Sequence, residues 1–411
     1  MEKTKSWKKN FFTIYIGQAF SLISSSAVQF SIIWWITVQT GSALALAIAS
    51  VVGLLPQAII GPFAGVWIDR YNRKAIMIIA DCTVSISSLM LGISFFFGTP
   101  PMIFVYVILF LRALGETFHK PAMQAAIPQL VPESELTKAG GLGQMVSSAC
   151  TMVGPMLGAL LMSITTLQYV MLVDIIGATL AVLTLSRVKI LKHKVSLNGK
   201  LSVINDMKQG IKAIKANKAL VRASIPILMS TIVFVPLGTL LPLMIKLYFN
   251  GTAWHNGIVQ ALFSSGMLIA ALVIGITGGL KKQFFMISLG IFLMGICSLI
   301  AGMLPVTGFW LFCIIIFIMG TTGMVSNIPF TAYMQKTIPQ ENLGKVISLI
   351  TSIMSFAAPV GMFIAGPASE LIGVNNWMIL AGVLMLFVGL VCYFLTREFD
   401  EIIPEEVNGH A

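Results

Sequence analysis

Charged residues are scarce in this sequence. Only 10% of its 411 residues are Asp, Glu, Lys or Arg, whereas a soluble domain carries about 25%. So few charges cannot cover a surface that faces water, which excludes a soluble protein. Apolar residues make up 57% of the chain and recur in runs of roughly 20, the length that crosses a bilayer as a helix. The sequence therefore predicts an all-α protein embedded in lipid.

Two kinds of chemical site are also missing. The five cysteines lie in apolar segments without a Cys-x-x-Cys pair or a spacing with His, so we expect no disulfide, no metal and no cofactor. No G-x-x-x-x-G-K-[ST] sequence occurs, and the nearest match, "ENLGKV" at 341–346, lacks the first Gly and ends in Val. Because that loop is what cradles nucleotide phosphates, ATP is excluded as the fuel of this chain.

The formal net charge of +11 is explained by orientation in a membrane. The Lys and Arg residues lie in loops between apolar segments and do not form one continuous basic face, so no nucleic-acid partner is expected. Of 26 basic residues, only Arg112 and Lys246 lie outside the segments that the positive-inside rule assigns to the cytoplasm. Both termini are therefore predicted to be cytoplasmic.

Breaks at Gly, Pro and polar residues divide the apolar sequence into twelve predicted spans. Uncharged breaks alternate with loops rich in Lys and Arg, as expected for a chain that crosses back and forth. The predicted helices are 11–38, 43–67, 75–97, 101–120, 139–162, 168–187, 222–247, 257–280, 284–304, 308–331, 346–371 and 377–396.

The sequence repeats itself after half its length. "LVPESELTKA" at 130–139 aligns with "TIPQENLGKV" at 337–346, and each copy precedes an odd-numbered helix with a Gly/Pro cluster. We therefore predict two parallel six-helix halves, an arrangement typical of transporters that expose a central cavity to alternate sides of the membrane. The predicted parts are an N-terminal half 1–187, a basic cytoplasmic linker 188–221 with an amphipathic helix, a C-terminal half 222–396 and a cytoplasmic tail 397–411.

Four ionisable residues within the predicted spans are candidates for proton coupling, because a charge in hydrocarbon is costly. Arg112 and Glu116 are four residues apart on one helix, and Asp81 lies at similar depth on the preceding helix. We expect Arg112 to pair with one of these acids, either as a static lock between helices or as part of the coupling. Asp174 has no evident partner, which favours it as the proton carrier. The alternative is an Asp that reaches water at the outer end of its helix.

Two predicted helices carry polar faces. Such faces either line a wet substrate cavity or hydrogen-bond one helix to another. The candidate cavity residues are Gln18, Ser21, Ser25 and Gln29 in the first helix and Thr322, Ser326 and Asn327 in the tenth.

A charged cluster follows a long uncharged stretch. Residues 10–68 carry no charge at all, and then "DRYNRK" places an acid, three bases and an Asn at 69–74. A simple loop needs only polar residues. It does not need an Asp and an Arg four positions apart. We expect Asp69 and Arg73 to pair with each other or with neighbouring helix ends.

The segment "GVWIDRYNRK" at 65–74 resembles the G-x-x-x-D-R-x-G-R-[KR] loop of the major facilitator superfamily, with Asn72 in place of Gly. The resemblance implies a gating charge relay of Asp69, Arg70 and Arg73 with an acid low on the fourth helix, which would be Glu116. Asn is the non-glycine residue that best tolerates a left-handed backbone, so we expect Asn72 to preserve the turn in that conformation.

Two further segments resemble elements of the same family. "LFLRALG" is similar to a motif whose intramembrane Arg, here Arg112, is thought to assist proton transfer. "GPMLGA" resembles the element typical of drug/proton antiporters, which implies roles for Gly154, Pro155 and Gly158. Together these likenesses imply export.

Segments spread over nearly the whole chain, among them "GQAFSLISS", "LFLRALGETFHKPA" and "LGKVISLITSIMS", resemble the macrolide efflux proteins of Gram-positive bacteria. The resemblance implies proton-driven efflux of macrolide antibiotics from the bacterial plasma membrane, with export of another cargo, such as a siderophore or a metabolite, as the alternative. We expect a monomer, and the sequence leaves open a partnership with a separate ATP-binding protein.

A membrane-embedded enzyme is the rival from another class, and histidines are the residues that would support it. His119, His193, His255 and His410 are predicted to lie in loops, at helix ends or in the tail, without a partner motif. We therefore predict that the protein is not an enzyme.

Overall fold

The computed structural model of the chain describes residues 2–132, 135–188, 203–278 and 282–400. Within these ranges every regular element is helical. The helices are α1 Glu2–Thr40, α2 Ala43–Arg70, α3 Arg73–Ser94, α4 Met102–Leu130, α5 Leu136–Ile164, α6 Leu167–Arg187, α7 Val203–Ala216, α8 Lys218–Leu243, α9 Ala253–Thr277, α10 Gln283–Met303, α11 Phe309–Thr337, α12 Gln340–Ile372 and α13 Val374–Thr396.

Twelve of these helices, all except α7, are long and apolar enough to cross a membrane. This confirms the predicted number of spans and the all-α fold class. The predicted amphipathic helix of the linker is α7, which covers Val203–Ala216. A single residue, Asn217, separates α7 from α8, and its Oδ1 accepts a hydrogen bond from the backbone N–H of Leu220 at 3.0 Å. This N-cap explains why the chain turns there.

Several helices extend further than predicted. The fourth was expected to end at residue 120, but α4 continues to Leu130, and α12 begins at Gln340 where the prediction began at 346. The first charged residue marks the edge of the hydrocarbon, and the prediction placed the helix end there. A helix that satisfies its own backbone groups continues beyond that edge into water.

The chain divides into two compact units. The first contains residues 1–41, 48–201 and 252–261, and the second contains residues 42–47, 202–251 and 262–411. This division departs from the predicted halves at the first residues of α2 and of α9. The predicted domain boundaries themselves stay a prediction.

Glycines bring α1 close to its neighbours in the first unit. A Cβ on Gly17 would lie 1.8 Å from Oγ1 of Thr184 on α6, and a Cβ on Gly177 would lie 2.0 Å from Oγ of Ser24 on α1. No larger residue fits between these helices unless they separate. Small residues are how membrane helices approach closely without a hydrophobic driving force. The polar face of α1 is thereby held within hydrogen-bonding reach of α6.

The second unit is packed by the same means. A Cβ on Gly266 of α9 would lie 2.1 Å from the carbonyl oxygen of Phe317, and a Cβ on Gly320 of α11 would lie 2.1 Å from that of Phe263. At the end of the described chain, the carboxylate of Asp400 accepts the backbone N–H groups of Phe284 and Phe285 at 2.9 and 2.7 Å. Asp400 thus caps the first turn of α10.

Candidate functional site

Asp174 on α6 and Arg112 on α4 form an ion pair inside the first unit. Nη1 of Arg112 contacts Oδ2 of Asp174, and each side chain is only 1% exposed. The expectation that Asp174 lacks a partner or reaches water was wrong, and so was the expectation that Arg112 pairs with Asp81 or Glu116. Both α4 and α6 pack against α3, and this shared neighbour brings Arg112 and Asp174 together.

Hydroxyl groups complete the surroundings of this pair. Ser88 of α3 donates to Oδ2 of Asp174 at 2.7 Å, and Ser25 of α1 donates to Oδ1 at 2.7 Å. Ser24 lies at 3.5 Å from the same Oδ1. Nη2 of Arg112 donates to the carbonyl of Ser25 at 3.2 Å. Helices α1, α3, α4 and α6 therefore meet at one carboxylate, and both buried charges are paired, as burial demands. Nε of Arg112 is buried without a hydrogen-bond partner among the described residues.

Asp81 on α3 forms a second buried centre with different partners. Nε2 of Gln18 donates to Oδ2 at 3.3 Å, and Oγ of Ser21 donates to Oδ1 at 3.0 Å. Nε2 of His119 lies 3.4 Å from the same Oδ1. Asp81 is 4% exposed and His119 is 7% exposed. An acid and a titratable base are thus enclosed together within the membrane-spanning part of the unit.

His119 is the residue of this site that sequence reasoning missed. It was placed at a helix end without a partner, but it lies within the span Met102–Ala126 and is buried. The missed signal is its spacing from Arg112. Seven residues (119 − 112) make two helical turns, so the two bases share one face of α4 about 10 Å apart. Ser88 follows Asp81 on α3 by the same interval (88 − 81).

The polar face of α1 connects these two centres. Gln18 and Ser21 hydrogen-bond one acid, and Ser25 hydrogen-bonds the other. Two roles were considered for this face, lining a cavity or hydrogen-bonding one helix to another. These three residues have the second role. Gln29, the fourth, is half-buried, and its role in a cavity stays a prediction.

The polar residues of α11 differ from one another in exposure. Thr322 is buried and donates to the carbonyl of Met319 at 2.8 Å, and Ser326 donates to that of Gly323 at 3.0 Å. Asn327 is exposed. An amide that faces lipid would lack partners, so an exposed Asn within a span suits a surface in contact with water. Asn327 is therefore the member of this group best placed for a cavity.

Two basic residues of the charged cluster at 69–74, Arg73 and Lys74, bind backbone carbonyls of neighbouring helices. Arg73 donates from Nη1 to the carbonyl of Ala125 on α4 at 2.8 Å. Lys74 donates from Nζ to the carbonyls of Ser186 and Val188, at 2.9 Å each, at the end of α6. Cations are stabilised at helix C-termini, where carbonyl groups lack helical partners. Lys74 makes such a contact at the end of α6, whereas Ala125 lies five residues before the end of α4 at Leu130. The expected pairing of Asp69 with Arg73 or with helix ends stays a prediction.

The predicted gating relay is only partly described. The side chains of Asp69 and Arg70 lie outside the residues that the structure describes. Glu116 is exposed on α4 and precedes the Arg73 contact at Ala125 by nine residues (125 − 116), about 13 Å along a helix. The structure therefore does not bring Glu116 to Arg73, and the relay stays a prediction.

Asn72 departs from the backbone expected for it. Its φ of −66° and ψ of 110° are extended, not left-handed. Its Oδ1 accepts the backbone N–H of Lys74 at 3.0 Å, so the residue is the N-cap of α3. Asn is among the best N-cap residues, which explains why it fits where the family resemblance favours Gly.

The "GPMLGA" segment sets the distance between α5 and α1. A Cβ on Gly154 would lie 2.4 Å from the side chain of Ser26, and a Cβ on Gly158 would lie 2.5 Å from the carbonyl oxygen of Ala27. Pro155 lies inside α5, where it removes one helical hydrogen bond. Larger residues in this segment would displace α1 and the serines that hold the buried acids.

The described part of the chain offers no metal site, because no three His, Cys, Asp or Glu side chains come together there. The acids and bases of the site are instead arranged in pairs. The chemistry that such an arrangement supports is the binding and release of protons.

Comparisons with known proteins agree with this picture. The model of the Major Facilitator Superfamily matches residues 14–361 and 229–409. Macrolide efflux protein A of Streptococcus pyogenes is 40% identical over 95% of this chain and 97% of that protein. Its namesake in Enterococcus faecalis is 38% identical over 78% of this chain and 100% of that protein. A bacterial homologue of the human lysosomal transporter Spinster shares the fold, with a TM-score of 0.75 at 13% identity over 96% of this chain and 98% of its own.

Proposed function

The chain belongs to the Major Facilitator Superfamily of membrane transporters and is not an enzyme, and we propose that it exports macrolide antibiotics in exchange for protons. The observation that carries the cargo assignment is the 40% identity to macrolide efflux protein A over nearly the full length of both chains. Similarity this extensive covers the helices that surround any cavity as well as the scaffold.

The distribution of charged residues supports the proton as the coupling ion. Within the described spans of the C-terminal half, the charged side chains lie near the ends of the helices. The first unit instead encloses Asp81, Asp174 and their basic partners. Intramembrane acids are where a transporter binds protons. We therefore assign proton coupling to the first unit.

The orientation belongs to the proposal as well. The arginines and lysines flank the cytoplasmic ends of the predicted spans, which supports cytoplasmic termini in the bacterial plasma membrane. In this orientation the charged cluster at 69–74 faces the cytoplasm, and export carries the drug away from that side.

The test is the accumulation of a radiolabelled 14-membered macrolide in drug-sensitive bacteria with and without the protein. We expect lower accumulation in cells that contain it, and a rise to the level of control cells once an uncoupler collapses the proton gradient. The matched control is the Arg112→Ala variant, shown by immunoblot to reach the membrane, which should leave the drug inside.

Either of two outcomes would contradict the proposal. Unchanged accumulation with the protein in the membrane would refute the macrolide cargo. Lower accumulation that resists the uncoupler would refute proton coupling.

A further inference from the structure

We propose that His119 and Asp81 together form the proton-exchanging group of this transporter. The inference rests on the proposed function, since it names the residues that bind the driving proton. Among the candidates from sequence, which included Asp81, the expectation favoured Asp174 as the proton carrier, and the proposal departs from it.

The two buried acids differ in what a bound proton would do. A guanidinium is not deprotonated in proteins. Asp174 contacts the guanidinium of Arg112 directly and also accepts hydrogen bonds from Ser25 and Ser88. Protonating Asp174 would leave a buried guanidinium without its counter-charge, which is strongly unfavourable. The Arg112–Asp174 pair is therefore suited to hold α4 and α6 together and not to exchange protons.

Asp81 faces a base that can lose its proton. Imidazole is the side chain whose ordinary titration falls in the physiological range. Nε2 of His119 lies 3.4 Å from Oδ1 of Asp81, but it has no aligned hydrogen bond to any described residue. Gln18 and Ser21 fix the carboxylate from α1. A small rotation of the imidazole is enough to make or break the contact, which is what reversible proton transfer needs.

The charged groups around His119 favour an imidazole that binds and releases a proton over one that keeps a single protonation state. Two carboxylates act on the imidazole, Asp81 from α3 and Glu116 from one turn earlier on α4. The side chains of α1 that reach the pair, those of Gln18 and Ser21, are neutral. Lys120, the next residue on α4, is exposed.

The proton balance of the pair is simple. An imidazolium beside a carboxylate has no net charge. When Nε2 releases its proton, the electron pair of the N–H bond stays on nitrogen and the pair carries one negative charge. Rebinding a proton from the other side restores neutrality, so each cycle moves one proton and requires no other reactant.

The experiment uses full-length protein in proteoliposomes with a labelled macrolide and an imposed pH gradient. For His119→Gln we expect gradient-driven uptake to fall about a hundredfold, the lower range for loss of a positioned proton-transfer group, while drug–drug exchange without a gradient stays within about twofold of wild type. The control is His255→Gln, at the outer end of α9, which should leave both activities unchanged.

The outcomes separate the two hypotheses. Wild-type protein that shows exchange but no gradient-driven uptake would refute the proposed proton antiport. Wild-type uptake that His119→Gln retains in full would refute the role of His119 and leave the antiport standing.

A measurement on wild-type protein covers the case in which His119→Gln fails to fold. The chain contains four histidines, so ¹⁵N-histidine labelling gives signals from four imidazoles, and single His→Gln variants at the other three positions identify those of His119 by elimination. We expect the His119 signals to change with pH in the range where imidazole ordinarily titrates, about pH 5 to 8, and to change differently in Asp81→Asn. A His119 imidazole that keeps one protonation state across this range would overturn the proposal.

Discussion

The two halves of this chain use the same packing but differ in charge. In both units, glycines bring helices together until a carbonyl oxygen or a hydroxyl occupies the space of a missing Cβ. In the first unit, two acids and two bases are buried among these helices. The described spans of the C-terminal half carry charged groups only near their ends. The comparison teaches that similar helix packing supports two different distributions of charge, and that the buried acid–base pairs on which the proposed proton coupling depends lie in the first unit.

The largest expected effect comes from breaking the buried pair of the first unit. Arg112→Met alone leaves Asp174 uncompensated, so we expect the free energy of unfolding to fall by about 3–5 kcal/mol and transport to be lost. Arg112→Met combined with Asp174→Leu should recover most of the stability, because no unpaired charge remains. Thermal unfolding in detergent measures both, and equal losses in the single and double variants would contradict the pairing.

Packing should be equally sensitive in both units. Gly158→Ala places a Cβ 2.5 Å from the carbonyl oxygen of Ala27, and Gly266→Ala places one 2.1 Å from that of Phe317. We expect each to destabilise its unit by about 1–3 kcal/mol, as overpacking does. Gly238→Ala is the control, since no atom lies within 4 Å of its added Cβ. If Gly158→Ala behaved like this control, the close approach of α5 to α1 would be wrong.

Neutralising Asp81 should abolish proton coupling with little loss of stability. Asp81→Asn retains a side chain that Gln18 and Ser21 can reach, so we expect a loss of only about 1 kcal/mol in the free energy of unfolding. Gradient-driven export should nevertheless fail, because the charge that holds the proton on His119 is gone. If cells that express Asp81→Asn accumulated as little drug as cells that express the wild-type protein, the proton would bind elsewhere.

The smallest effect concerns the turn between α2 and α3. Asn72→Ala removes the N-cap of α3 and should cost about 1 kcal/mol, whereas Asn72→Gly should cost only a few tenths. This order follows from the extended backbone at Asn72. A residue with a left-handed backbone would instead be stabilised by the change to Gly. Chemical denaturation of the two variants distinguishes these cases.

The sequence predicted what depends on local composition. Twelve spans could be counted because each crossing needs its own apolar run, and the linker helix α7 could be found from its alternating charge and apolar residues. Each of these features is encoded within one segment of the chain.

The partners of the buried charges could not be predicted in this way. Asp174 meets Arg112 because α4 and α6 both pack on α3, and no local pattern states which helices are neighbours. His119 was missed because the charged Lys120 beside it was taken as the end of the helix, whereas α4 continues to Leu130. The polar face of α1 was recognised, but its hydrogen bonds to two acids depend on tertiary structure.

The central claim is that export and proton entry are one process in the first unit. The most direct test is to add a macrolide to one side of proteoliposomes without any imposed gradient and to follow internal pH together with labelled drug. We predict that drug movement in one direction drives protons in the other, and that Asp81→Asn abolishes the pH change. Drug movement across wild-type proteoliposomes with no change in internal pH would contradict the account.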